Sequence, residues 1–113
     1  MIETYSFGSM KVKGKTHRND LKIIGDQVIP EWWRRRGHLL VAEDIIDILD
    51  ARVEVLVVGT GAYGGLELAP QVAEEASRRG IELVSAPTEK AVTVFNRLFD
   101  EGKQVAGAFH LTC

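Results

Sequence analysis

Apolar residues recur along this chain in two distinct spacings. Val53 to Gly59 reads VEVLVVG, a β-branched run broken only by Glu54. Such a run ending in glycine predicts a strand buried on both faces, at the centre of a parallel or mixed sheet. Ala91, Val92, Phe95, Leu98 and Phe99 fall instead at i, i+1, i+4, i+7 and i+8, the stripe of a core-facing helix. Pro87-Thr88 opens that helix, with the Thr88 hydroxyl placed to cap it, and Gly102 ends it.

The other elements follow from alternation and punctuation. Tyr5 and Phe7 alternate with Thr4 and Ser6, Gly8-Ser9 offers a turn, and Met10 to Val12 gives a second short strand. Leu21 to Ile24 and Gln27 to Ile29 flank Gly25-Asp26, which predicts a hairpin because glycine supplies the positive φ of the turn. Glu31 to His38 has no period and predicts an extended or loop segment. Ala42 to Asp50 predicts a short acidic helix with Ile45, Ile46, Ile48 and Leu49 on its inner stripe. Pro70 starts a further helix that runs to about Arg79 and stops at Gly80. Strands are expected at Ile81 to Ser85 and Val105 to Leu111. A strand, helix and strand at this spacing make a βαβ unit with a right-handed crossover. The expected fold is one three-layer α/β domain over residues 1–113. It has a central mixed sheet with helices on both faces and an N-terminal antiparallel β part.

Composition narrows the function without fixing it. A formal net charge of -2 lacks the basic surplus of a general nucleic-acid binder. Cys113 is the single cysteine, so no intramolecular disulfide forms. No apolar run approaches the ~20 residues that span a bilayer, and the first residues carry no signal-peptide pattern. The expectation is a cytoplasmic protein away from membranes.

Two stretches carry candidate chemistry. Gly59-Thr60-Gly61-Ala62-Tyr63-Gly64 has the spacing G-x-G-x-x-G, but Pro70 starts the following helix too late for a dinucleotide pyrophosphate to rest on it. A glycine turn at a strand end can still present backbone N–H groups to a small anion, against the alternative that the glycines permit close packing. Trp32-Trp33-Arg34-Arg35-Arg36 joins rings and guanidinium groups. It could serve single-stranded nucleic acid, which a net acidic chain disfavours, or a partner protein. It could equally be structural, with a buried tryptophan and arginines paired to the acidic helix Glu43 to Asp50. His17, His38 and His110 match no metal motif, and a Cys–His pair would need Cys113 beside His38 or His110. Asn96 lies at the margin of the apolar stripe, where it would bond a loop carbonyl or face water. No catalytic residue, metal or cofactor is expected.

Four stretches together carry a family resemblance. They are Trp33 with Arg35 and Gly37-His38, Leu56 to Gly61, Pro87-Thr88 with Ala91 and Phe95 to Leu98, and His110 to Cys113. The chain resembles the small single-domain family that includes respiratory complex I assembly factor 3 and the adipogenesis-associated domain protein. The resemblance implies a three-layer α/β fold, no firmly attached enzymatic activity, and eukaryotic members that act as assembly or regulatory partners. It also implies a shared pocket at Gly59, Thr60, Gly61, Thr88, Asn96 and His110, to which the loop adds Tyr63. The leading expectation is a non-enzymatic binding or assembly protein, contacting a protein partner or second copy through Trp32, Trp33, Arg35 and His38. The alternative is a domain, enzymatic or not, that holds a small anionic ligand at Gly59 to Gly65.

Overall fold

A computed structural model describes residues 1–113. Its main sheet has five strands in the order β5(Gln27–Ile29), β4(Leu21–Ile24), β10(Val105–His110), β7(Val55–Thr60), β9(Glu82–Ala86). β4 and β5 form the expected hairpin across Gly25-Asp26, with Ile24 opposite Gln27. β10 runs antiparallel to β4 and parallel to β7, and β7 runs parallel to β9. The sheet is therefore mixed. The middle position belongs to β10 and not, as the apolar run predicts, to the strand of Val53 to Gly59, which is β7. Both are buried at every residue, so burial on two faces cannot tell the middle strand from its neighbour.

A second antiparallel sheet comprises β1(Ile2–Ser6), β2(Ser9–Val12) and β3(Lys15–His17). β6(Leu39–Leu40) and β8(Glu67–Leu68) form a two-residue parallel pair beside the main sheet. The helix expected at Ala42 to Asp50 divides. Ala42–Ile45 is a 3₁₀ turn, and only Ile46–Asp50 is α-helical (α1). The Asp44 carboxylate accepts hydrogen bonds from the backbone N–H groups of Val41 and Arg35, which fixes the start of this turn. α2(Pro70–Arg78) and α3(Thr88–Asp100) lie where the sequence places them.

Alternation along the strands splits the interior into two cores. Leu56, Val58, Ala106 and Ala108 face one core, with Ile45, Ile48, Val72 and Ala76 from the helices on that side. Val55, Val57, Val105 and Phe109 face the other, with Ala91 and Phe95 of α3 and with Ile2, Met10 and Val12 of the N-terminal sheet. Gly107 in the middle strand is a packing requirement. A Cβ there would overlap the Phe109 ring and lie 3.1 Å from the Phe95 ring. Those two rings meet edge to face at 5.7 Å.

Asn96 ties the N-terminal sheet to α3. Its Oδ1 accepts from Ile2 N at 3.0 Å, and its Nδ2 donates to Ile2 O at 2.8 Å. It replaces a missing strand partner and faces neither loop nor water.

Phe95→Ala removes the ring at the centre of the second core. We expect a loss of about 3–5 kcal/mol in chemical denaturation. A loss under about 1 kcal/mol would show that this core does not hold the layers together.

Candidate functional site

The carboxyl ends of β7 and β10 meet at the glycine loop. Thr88 Oγ1 accepts from Gly61 N at 2.8 Å and donates to His110 O at 2.6 Å. The hydroxyl therefore joins two strands and does not cap α3. Its commitment follows from complete burial, since Thr88 has no exposed surface to leave an oxygen unpaired. Gly59 is close-packed for the same reason. A Cβ there would lie 2.8 Å from Thr88 Oγ1 and 2.9 Å from the Phe109 ring.

The N–H groups of this loop are engaged by the chain itself. Ala62 N donates to Thr112 O at 2.6 Å, and Gly65 N donates to Cys113 O at 2.7 Å. Gly61 has φ +103°, and a Cβ on it would sit 2.5 Å from the Cys113 carbonyl carbon. The glycines admit residues 112–113, and the carbonyls of that segment stand where an anion would. Thr60 is buried beside them, and its carbonyl accepts from Leu66 N. Tyr63 points outward, 81% exposed, with its ring 6.2 Å from that of exposed Phe7.

A second junction lies on the other side of His110. Asp20, immediately before β4, is only 9% exposed. Its Oδ1 accepts from Leu111 N at 2.8 Å. Its Oδ2 lies 2.8 Å from His110 Nδ1 and 2.8 Å from Arg34 Nη1. The Asp20 carbonyl accepts from Trp32 N at 2.9 Å. A single residue thus holds the end of β10 and the irregular segment 32–34. The Arg34 side chain is 5% exposed and also donates to Gly37 O through Nε and Nη2.

Burial by itself would raise the Asp20 carboxyl. The hydrogen bonds from His110 and Leu111 N–H and the charge of Arg34 outweigh it and hold the group below its ordinary value. The carboxylate favours a proton on His110 Nδ1, because a lone pair facing it at 2.8 Å would be repelled, and Arg34 Nη2, 3.1 Å from the same nitrogen, donates instead to Gly37 O. His110 Nε2 is left buried without a hydrogen-bond partner. Arg34 Nη1 makes its ion pair with Asp20 but no well-directed hydrogen bond.

The doubled tryptophan resolves by alternation. Trp32 is 6% exposed, donates from Nε1 to Asp44 O at 3.0 Å, and carries the Arg34 guanidinium over its ring at 4.8 Å. Trp33 is 72% exposed. Of the expected contact residues, Trp32 is therefore structural, while Trp33 stands free. Nor do the arginines pair with the acidic helix. Arg34 pairs with Asp20, whereas Lys22 takes Asp47 and Arg79 takes Asp50.

A cleft of about 300 Å³ opens over this junction, lined in part by Arg18, Asp20, Trp33, Arg34, His38 and His110. His38 and His110 do come together, ring edge to ring face at 5.7 Å. Arg35 lies outside, in a neighbouring groove with Arg36, Glu43 and Glu67. Asp20 is the site residue that sequence reasoning passed over, and Arg34, named there within the Trp-Arg cluster, has Asp20 as its partner rather than the acidic helix. Asp20 stands 90 positions from His110, and no local signal marks it.

A family described as a protein of unknown function (DUF498/DUF598) matches residues 2–110, and the chain belongs to it. NADH dehydrogenase [ubiquinone] 1 alpha subcomplex assembly factor 3 of Mus musculus is 30% identical over 110 residues, covering 95% of this chain and 57% of its own length. The Danio rerio protein of the same name is 28% identical over 111 residues, covering 96% of this chain and 62% of its own length. The chain thus spans less than two thirds of these relatives. A conserved hypothetical protein from Pyrococcus horikoshii is 28% identical, with TM-score 0.84 over 100% of this chain and 99% of that one. An outer membrane protein from Bartonella henselae is 25% identical, also with TM-score 0.84, over 99% and 94% of the two chains. No helix of the present chain is long and apolar enough to cross a membrane.

Two outcomes test this geometry. The Asp20 carboxyl titrates lower in the folded than in the unfolded chain, so its contribution is fully present above about pH 4 and is lost as pH falls through its folded value. Asp20→Asn should cost about 3–5 kcal/mol near neutral pH and reduce the acid-side loss of stability in urea titrations. An unchanged acid limb would remove Asp20 from that role. Gly61→Val should release residues 112–113, read as faster amide exchange at Ala62 and Gly65. Unchanged exchange there would show that the glycine does not serve the packing.

Proposed function

We propose that this member of the family is a non-enzymatic binding protein of assembly-factor type, and that Trp33 is the anchor it offers to a protein partner. The observation that carries the proposal is the contrast within one tripeptide. Trp32 and Arg34 are locked into the interior, while Trp33 between them is 72% exposed. A large ring held on a rigid segment loses little freedom on binding, and tryptophan is enriched among residues that dominate binding energy. The complex I assembly factor 3 relatives bear a name of this type, and their similarity covers nearly all of the present chain. In this proposal the glycine loop is scaffolding, because its amides hold the chain's own carbonyls.

Trp33→Ala tests it. The substitution should leave the melting temperature within a few degrees, since an exposed ring adds little to stability. Native mass spectrometry of protein gently isolated from its own cells should show a stoichiometric partner on the wild type that is absent from the variant. The same partner on both would overturn the role of Trp33, and turnover of a defined substrate would overturn the non-enzymatic assignment.

A further inference from the structure

The cleft beneath Trp33 has a one-sided chemistry. Its single acidic residue is Asp20, and both Asp20 oxygens are consumed, one by Leu111 N–H and the other by His110 and Arg34. The rest of its lining carries no acidic side chain and includes two arginines, Arg18 and Arg34. Arg18 is exposed, and its side chain makes neither an ion pair nor a hydrogen bond within the chain. His38 is exposed on the rim beside His110. In the floor, Arg34 Nη1 lacks a directed hydrogen bond and His110 Nε2 lacks any, although both are fully buried. Buried polar atoms are usually satisfied, and each unsatisfied one in a native structure calls for a cause: Arg34 Nη1 is a donor turned to Asp20, whereas His110 Nε2, with the proton on Nδ1, is an acceptor. The Asn19 amide that could answer them is turned away to Glu31.

We propose that this cleft is a carboxylate-binding subsite, and that it takes an aspartate or glutamate side chain of the partner that packs on Trp33. The inference rests on the partner-binding function above and supplies its chemistry. Arg18 closes over the carboxylate as its counter-ion, because it is the one fully charged group on the cleft with no existing partner. Arg34, already neutralised by Asp20, shapes the floor, and the His38 ring donates from the rim. With the partner packed on Trp33, the ring and the partner together exclude water from the cleft, which strengthens the ion pair. The distribution of charge agrees: the chain is net acidic, yet the charge this cleft leaves unpaired is the cation Arg18.

Acetate is the probe for the subsite, titrated at constant ionic strength against labelled full-length protein. Saturable shifts at the Trp33 indole N–H and the His38 ring are expected. In Arg18→Glu the affinity should fall by about tenfold or more. That variant should fold normally, because Arg18 is exposed and its side chain makes no ion pair or hydrogen bond within the chain. No saturable shift, or equal saturation in Arg18→Glu, would overturn the subsite. Retention of the cellular partner distinguishes the source of the carboxylate. Loss of the partner from both Trp33→Ala and Arg18→Glu supports an acidic side chain. Acetate binding with the partner retained by Arg18→Glu overturns that assignment in favour of a free small carboxylate. If Trp33→Ala keeps the partner, the partner surface fails on its own, and the acetate titration still decides the cleft.

Discussion

The structure depends on a buried carboxylate that must remain charged. Asp20 lies almost out of solvent, yet it accepts from Leu111 N–H, His110 and Arg34. Desolvation of an isolated carboxylate would neutralise it, and only this set of donors reverses the direction. The donors come from two distant parts of the chain, residues 110–111 and Arg34, and Asp20 itself from a third. Satisfying one charge therefore fixes three segments at once: the start of β4, the exit of β10, and the irregular stretch after Pro30. A buried pair of this kind adds little net stability over an apolar replacement, but breaking it leaves an uncompensated charge. Its value lies in specifying one arrangement.

That arrangement explains how a segment without regular structure becomes a rigid platform. Residues 31–38 have no ladder of their own beyond an isolated bridge between Arg36 and Leu39. Their order comes from Trp32 N–H on the Asp20 carbonyl, the Trp32 indole on Asp44 O, and Arg34 on Asp20 and Gly37. On an extended segment, neighbours point to opposite sides. Burying Trp32 therefore presents Trp33. The glycine loop works in the opposite sense. There the absent side chains let residues 112–113 close over the strand ends, and the backbone amides are spent internally.

Much of this was legible in the chain beforehand. The Gly25-Asp26 hairpin, the βαβ unit and the stripe of α3 follow from local pattern, and they appear within a residue or two of expectation. The middle strand was not legible, because β10 reads VAGAFH and looks weaker than VLVV. Its Gly107 is there because Phe95 and Phe109 crowd that face, while Ala106 and Ala108 pack into the other core. Asp20 was not legible either. It follows Asn19 in what reads as a polar turn, and its partners lie across the sheet. His38 and His110 were legible as candidates, but only the fold puts them 5.7 Å apart.

The most direct test of the Asp20 junction is amide hydrogen exchange on Arg34→Met, which keeps the apolar stem of the side chain and removes its charge. We expect exchange to quicken together in residues 32–38 and 110–112, while α3 and β7 keep wild-type protection. Change confined to residues 32–38, or no change at all, would contradict the claim that one buried carboxylate holds these segments together.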